Sequence, residues 1–405
     1  MSDPIVWLTP PETPAAHTPL EYAALWIARV LMSLAAASLV YTLMAWVAAA
    51  RYRAARRREL AREPEFAPPV SILKPLKGAD EALAEALRSH CRQEYAGEFE
   101  VLCGVGSMED PAAAVVMALC EEFPAVRLVV CPERLGASGK VSTLIQLARE
   151  ARHEFLLVSD GDILVGEGYL ARVMDGFRDA GVGLVTALYR GRAGRSIWSR
   201  LESMTISTDF MAGVLTARML ERGVRFALGS TLALRREALE AIGGLEPLVD
   251  MLADDYELGV RVHRAGYRIA LAPVVVETAV PEYRWRGFLA HQLRWLRTVR
   301  DSRRWGYLGL LFTHPVALAL LAALASGGNV WSVWLLAMAL ALRLSLAMQT
   351  GVATLGDRAL LGELWLLPLR DVVAFGLWLT SFASNRIEWR GHRFELKRGR
   401  LTPVE

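Results

Sequence analysis

The sequence predicts an α/β domain with a parallel sheet, set between membrane helices, and three observations lead there. Of the 405 residues 53% are hydrophobic and the mean hydropathy is +0.27, high for a soluble protein, yet 22% are charged, high for a pure transporter. The apolar residues concentrate toward the two ends, whereas residues 51–304 have ordinary polarity. Within that middle region short apolar runs alternate with helix-like segments, the pattern of strand–helix–strand units and so of parallel pairing. At about 150 residues per domain the length allows two to three domain equivalents and excludes one small domain. The 46 Lys and Arg nearly cancel the 43 Asp and Glu, leaving +3, which excludes a global basic field for gripping nucleic acid.

Taken in order, residues 1–21 form an extracytoplasmic N-terminus and residues 22–50 a transmembrane helix. From Val30 to Ala50 there are 21 consecutive residues without a charge, about 30 Å of helix and one hydrocarbon thickness. No Lys or Arg precedes Tyr22, whereas Arg51, Arg53, Arg56, Arg57, Arg58 and Arg62 follow the apolar run, so the positive-inside rule places residue 51 onward in the cytoplasm. Residues 51–304 form the cytoplasmic domain. Past the Pro-rich joint 64–69, strands are predicted at 70–73, 99–105, 126–130, 155–159 and 182–186, with helices at 80–92, 111–122, 139–152 and 168–180. The cysteines Cys91, Cys103, Cys120 and Cys131 are spaced 12, 17 and 11 apart, so no C-x-x-C pair suggests zinc or redox chemistry, and four free core thiols are expected.

Residues 305–384 hold the C-terminal membrane segments, two or three in number. Residues 305–342 hold no Asp, Glu, Lys or Arg and a single histidine, His314, and the apolar run is interrupted by Ser326-Gly327-Gly328-Asn329, which fits two spans joined by a tight turn. In Leu360 to Ala383, Glu363, Arg370 and Asp371 interrupt the apolar run, so that segment reads as a span or as an interfacial or re-entrant element. The tail 385–405 is basic and prefers the cytoplasm, whereas a complete third span would put it outside.

Ligands of α/β sheets bind at the carboxyl ends of strands, which directs attention to the polar residues there. Gly104-Val105-Gly106 lacks the third glycine of a dinucleotide fingerprint, and Gly139-Lys140 lacks the rest of a P-loop. The strongest local signal is Phe155-Leu-Leu-Val-Ser-Asp160-Gly-Asp162, a strand ending in two carboxylates. If the backbone stays extended, residues i and i+2 point the same way and can converge on one Mg²⁺ or Mn²⁺ completed by substrate phosphates; the bland alternative is a solvated Asp-Gly turn. Asp254 and Asp255 open a helix, where capping alone could explain them, and Asp110 precedes Pro111 in the same way. His291-Gln292-Leu293-Arg294-Trp295 lies in an arginine-rich stretch before the second membrane segment, where a positive-inside flank accounts for part of the charge.

In this order, an N-terminal anchor, Leu73-Lys-Pro-Leu-Lys-Gly78, Asp110, Asp160, Asp255 and Arg294-Trp295 before C-terminal spans resemble the ceramide glucosyltransferase-like membrane glycosyltransferases, whose bacterial members include the hopanoid biosynthesis-associated branch. The resemblance runs over roughly residues 70–400. It implies a GT-A nucleotide-sugar domain in which Asp110, Lys140, Asp160, Arg294 and Trp295 bind the nucleotide sugar, Asp160 and Asp162 hold Mg²⁺ or Mn²⁺, and Asp255 is the catalytic base. His291 stands where the family motif has Gln or Arg, with Gln292 one place later. The activity implied is inverting transfer of N-acetylglucosamine or glucose from a UDP-sugar to the hydroxyl of a membrane lipid, a hopanoid first and a ceramide second, at a bacterial inner membrane. The other reading is a processive polysaccharide synthase, which needs enough spans to enclose a channel.

Overall fold

The computed structural model describes residues 18–389, 392–397 and 399–403; the expected N-terminus 1–21 falls mostly outside them. Helix α1 (Pro19–Leu60) is 42 residues long, about 63 Å at 1.5 Å per residue and twice a hydrocarbon thickness. Its apolar half crosses into a basic half that docks on the α/β domain: Tyr52 Oη donates to Ala272 O (3.3 Å), and Arg56 reaches Pro273 O (2.7 Å) and Thr354 O (3.0 Å).

The domain follows as β1 (Val70–Pro75), α2 (Leu83–Cys91), β2 (Phe99–Val105), α3 (Pro111–Glu122), β3 (Val126–Val130), α4 (Gly139–Glu150), β4 (Phe155–Val158), β5 (Ile163–Leu164), α5 (Tyr169–Asp175) and β6 (Val182–Arg192), so each expected strand and helix up to residue 192 is present. Then come α6 (Ile197–Thr205), a π-helical turn Ile206–Phe210, α7 (Met211–Leu220), β7 (Leu232–Arg235), α8 (Arg236–Ala241), α9 (Asp254–Arg264) and β8 (Arg268–Ala279). The strand order is β3-β2-β1-β4-β7-β6-β8-β5. The sheet is mixed rather than wholly parallel: β7 runs antiparallel to β4 and β6, and β5 antiparallel to β8. The α6–α7 excursion leaves from the carboxyl end of β6, and β7 enters beside the carboxyl end of β4, Leu232 opposite Val158, so it must run backward.

Successive residues of the central strands bury opposite faces, as the period of two requires. Ile72, Val101 and Leu157 join one apolar cluster with Leu87, Val116 and Val173; Leu73, Leu102 and Leu156 join the other with Leu144, Leu147, Leu258 and Val262. Both faces are therefore covered, and the polar chemistry is left to the strand ends. The four cysteines are free, with Cys103 and Cys131 buried.

The C-terminal part comprises α10 (Trp285–Ser302), α11 (Arg304–Gly309), α12 (Pro315–Ala325), α13 (Val330–Ala347), α14 (Leu367–Ser381), β9 (Arg386–Trp389), β10 (His392–Lys397) and β11 (Arg400–Pro403). Among the described residues three helices are long and apolar enough to cross a bilayer, Tyr22–Leu60, Val330–Thr354 and Leu364–Ser381; Arg304–Thr313 and Pro315–Ala325 form a further pair bent by 62° at His314. The end of the second helix is back at the α/β domain, since Arg190 binds Leu355 O at 3.1 Å. Helix α14 packs along α10: Leu367 and Leu377 share a cluster with Leu201, Phe288, Leu293 and Leu296, and Arg300 in the last turn of α10 binds Ser381 O and Ser384 O (3.1 Å for the latter). Both ends of α14 thus touch α10, and its first half also touches α6. The tail expected as a merely basic segment folds into the antiparallel sheet β11-β10-β9, tied down by Arg297 to Arg386 O (2.6 Å) and by Leu252 N to Gly399 O (3.1 Å).

Candidate active site

A cleft of about 630 Å³ opens at the carboxyl ends of β1, β2 and β4. Asp110, Lys140, Asp160 and Asp162 all line it, so four residues far apart in sequence converge where a sheet of this kind places its ligands. Each is held by a local device. Asp110 caps α3, as its position before Pro111 suggests, and its Oδ1 accepts from Ala112 N (2.9 Å) and Gly78 N (2.8 Å), binding the loop after β1 to the cleft rim. Gly78 sits there at φ +72°, which favours glycine. Lys140 stands in the first turn of α4, behind the Ser138 cap whose Oγ accepts from Val141 N (3.3 Å), so the cleft receives a helix N-terminus as well as an ammonium group.

The backbone does not stay extended from Asp160 to Asp162 but turns at Gly161, where an added Cβ would lie 3.1 Å from the Leu76 side chain. Both carboxylates nevertheless reach the cleft. Lys140 Nζ binds Asp160 Oδ1 at 2.7 Å and Asp254 Oδ2 at 3.4 Å, and Thr278 Oγ1 donates to Asp162 Oδ2 at 2.8 Å. Burial, and then the Asp160 charge, push the Asp162 carboxyl up; the two acids beside it hold the Lys140 ammonium above its ordinary range.

Asp255 is the second residue of α9, with Tyr256 N donating to its Oδ1 at 2.8 Å. Burial raises its carboxyl to about 6, Asp254 adds to the rise, and Lys140 opposes it. Gly229 lies against it: a Cβ there would be 2.9 Å from Asp255 Oδ2. Asp255 is not among the residues lining the cleft, and neither are Arg294 and Trp295. Those two lie on α10. Trp295 packs on Phe210 (5.1 Å between rings) and joins the domain core, an anchor for the helix. His291, the departure from the family motif, has its Nδ1 3.0 Å from Glu202 Oε2 and its ring stacked on Tyr283.

Among the described residues no group of three His, Cys, Asp or Glu side chains could hold a metal alone. The donor set fits an ion that takes one or two carboxylates and completes its shell with phosphate oxygens, the habit of Mg²⁺ and Mn²⁺. Four carboxylates, Asp160, Asp162, Asp254 and Asp255, share this region with two ammonium groups, Lys140 and Lys74, an excess that matches one divalent cation.

The sequence profile of glycosyl transferase family 21 matches residues 30–402. The chain belongs to that family. It is 26% identical over 229 residues to ceramide glucosyltransferase 3 of Caenorhabditis elegans, covering 56% of this chain and 49% of that one. It is 23% identical over 234 residues to the probable glycosyltransferase YdaM of Bacillus subtilis, covering 57% and 55%. The chain thus spans about half the length of the curated relatives it matches. Among solved structures it is similar to the mannosyltransferase PcManGT of Pyrobaculum calidifontis in complex with GDP-Man and Mn²⁺, at 22% identity and TM-score 0.49 over 86% of this chain and 98% of that one. It is also similar to S. aureus TarS in complex with UDP-GlcNAc, at 12% identity and TM-score 0.38 over 83% and 99%.

In this family 21 chain the structure adds residues that the motif reading passed over. Asp254 is the second partner of Lys140, Thr278 from β8 fixes Asp162, and Gly229 makes room for Asp255. Phe394 of β10 forms part of the cleft wall. Only Asp254 had a local signal, its place beside Asp255; the others come from segments 100 or more residues away from the acid or cleft wall they serve, or from glycine, whose use shows only in contacts.

Proposed function

We propose that this protein is an inverting, GT-A-type glycosyltransferase that moves N-acetylglucosamine or glucose from a UDP-sugar to the hydroxyl of a membrane lipid, a hopanoid in first place and a ceramide in second. The observation that carries the reading is the cleft that gathers Asp110, Lys140, Asp160 and Asp162 at the strand ends, beside half-buried Asp255, in a chain that also carries helices apolar enough to cross a bilayer. The N-terminus of α4 with Lys140 suits a diphosphate, because free N–H groups and an ammonium group point the same way. Asp110 and the Gly78 loop border the nucleotide. Asp160 and Asp162 would hold a divalent ion, which would supply positive charge for the leaving diphosphate, and Lys140, beside Asp160, faces the same phosphate oxygens. Asp255 takes the proton of the acceptor hydroxyl as its oxygen attacks the anomeric carbon, and the bond to UDP breaks with the electron pair leaving on the diphosphate. No protein nucleophile takes part, so configuration inverts. Arg294 on α10 adds charge near the diphosphate, and Trp295 seats the helix that carries it.

The same reading places the α/β domain at the cytoplasmic face of a bacterial inner membrane. Helix α1 crosses once, the bent α11–α12 pair and α13 go out and return, and α14 lies along α10 in the interface. That path returns the basic β9–β11 tail to the side of the domain on which it docks, in keeping with the positive-inside rule. The deciding experiment incubates membranes containing the protein with labelled UDP-glucose or UDP-N-acetylglucosamine and a panel of hopanoid and ceramide lipids, with and without EDTA, and resolves products by thin-layer chromatography. A lipid-mobile single-sugar spot lost with EDTA is expected. Immobile polymer supports the processive synthase instead, and no turnover with any lipid overturns the proposal.

A further inference from the structure

Lys74 ends the buried part of β1 and is wholly inaccessible to solvent. A lysine in that position is costly unless each of its three N–H groups finds an acceptor. Each does. Nζ donates to Asp160 O at 2.8 Å and Ser159 Oγ at 3.2 Å, and lies 3.3 Å from His90 Nε2. His90 Nδ1 is 2.9 Å from Ala86 O, which can only accept, so Nδ1 carries the ring proton and Nε2 offers its lone pair to Lys74. The imidazole is itself fixed against Tyr169, ring centroids 5.8 Å apart, whose hydroxyl bonds Thr231 Oγ1 at 3.0 Å.

The three acceptors are all neutral. Among the described residues no carboxylate lies within ion-pair distance of Lys74, although the charges of Asp160 and Asp162 act on it through space. A buried cation kept without a contact counter-ion is poor design for stability alone, since an apolar side chain of the same length usually serves the fold as well or better. It lies directly under the turn that presents two carboxylates to the cleft.

We propose that Lys74 is a positioning residue of the donor site: its buried ammonium holds the Asp160-Gly161-Asp162 turn through the Asp160 carbonyl and supplies, from below, positive charge for the diphosphate of the donor. The proposal rests on the nucleotide-sugar reading above and deepens it. A layer of charge results, with Lys140 on the cleft side of Asp160 and Lys74 on the core side.

The test uses the full chain in detergent micelles and measures UDP binding by titration calorimetry, with and without Mn²⁺, for wild type, Lys74→Met and Lys74→Gln. Expected is a rise in the UDP dissociation constant of about tenfold for Lys74→Met, a smaller rise for Lys74→Gln, and an unchanged or higher Tm for Lys74→Met. UDP affinity within twofold of wild type in both variants overturns the role of Lys74 while leaving the donor reading in place. A large fall of Tm in both variants also overturns it, because a residue that merely holds the fold together behaves that way. Absence of UDP binding by the wild type overturns the donor reading and this inference with it.

Discussion

Asp255 is where burial and function pull in opposite directions. Its carboxyl is raised to about 6, mainly by burial, so the folded state binds its proton more tightly than the unfolded chain does. The sign follows: ionised Asp255 weakens the fold above about pH 6, and the penalty disappears as the pH falls toward the ordinary carboxylate range. Asp255→Asn should therefore raise Tm, by an amount on the order of 1–3 kcal/mol in stability, while lowering kcat about 10²–10⁴-fold, as read by melting curves and steady-state transfer assays. In its proposed role as base Asp255 must be ionised to act, so kcat should fall on the acid side with an apparent pKa near 6. Lys140 is the cation that holds this value down, and Lys140→Met should move the acid limb upward in a pH–rate series.

At the scale of elements, a charge network joins α13 and α14 to the π-helical turn after α6. Arg343 Nε binds Asp371 Oδ2 at 3.0 Å, Arg370 binds Asp371 Oδ1 at 2.9 Å and Asp209 Oδ2 at 2.6 Å, and Arg343, Arg370 and Asp371 are buried. Arg370 and Asp371 are two of the charges that interrupt the apolar run of the third segment and make it look a poor span; in the fold they are internal fasteners. Removing one member leaves a buried charge uncompensated, so Arg343→Met should cost about 3–5 kcal/mol, whereas Arg343→Met with Asp371→Leu should recover most of it, because Arg370 keeps Asp209. Thermal unfolding of the single and double variants in detergent checks this. The β9–β11 sheet forms part of the cleft wall through Phe394, a buried ring; Phe394→Ala should raise KM for the UDP-sugar several-fold and leave the Tm of the α/β domain nearly unchanged, since the cluster it leaves lies in the small sheet.

For the whole molecule, the decisive relation is that β9–β11 docks on the same domain that α1 enters, so on the proposed topology the chain between Arg304 and Asn385 crosses the bilayer an even number of times. Single cysteines placed at Glu109 and at Thr402, both exposed, should react with an impermeant thiol reagent from the same side of membrane vesicles, and one at Trp331 from the opposite side. Labelling of Thr402→Cys from the side of Trp331→Cys would show that α14 spans instead of lying along α10.

Much of this was legible in the chain. Five of the six strands up to residue 192, all but the two-residue β5, and helices α2–α5 follow from local periodicity, because a sheet buried on both faces needs apolar runs bounded by polar turns. The cleft acids Asp110, Asp160 and Asp162 were legible for a related reason: each sits just after a strand, where the main chain turns and local sequence marks the turn. The reversal of β7, the docking of the basic tail, and the pairing of Lys74 with Asp160 and Phe394 with the cleft were not, because each joins residues about 50 or more positions apart and leaves no period in the sequence. The sequence by itself determined which segments are apolar enough to leave water and which strand ends carry acid. Only the tertiary structure decided that Asp160 and Asp254 share Lys140 while Lys74 lies beneath the Asp160 turn, and on which side the tail comes to rest, since charge compensation and docking depend on distances in space rather than along the chain.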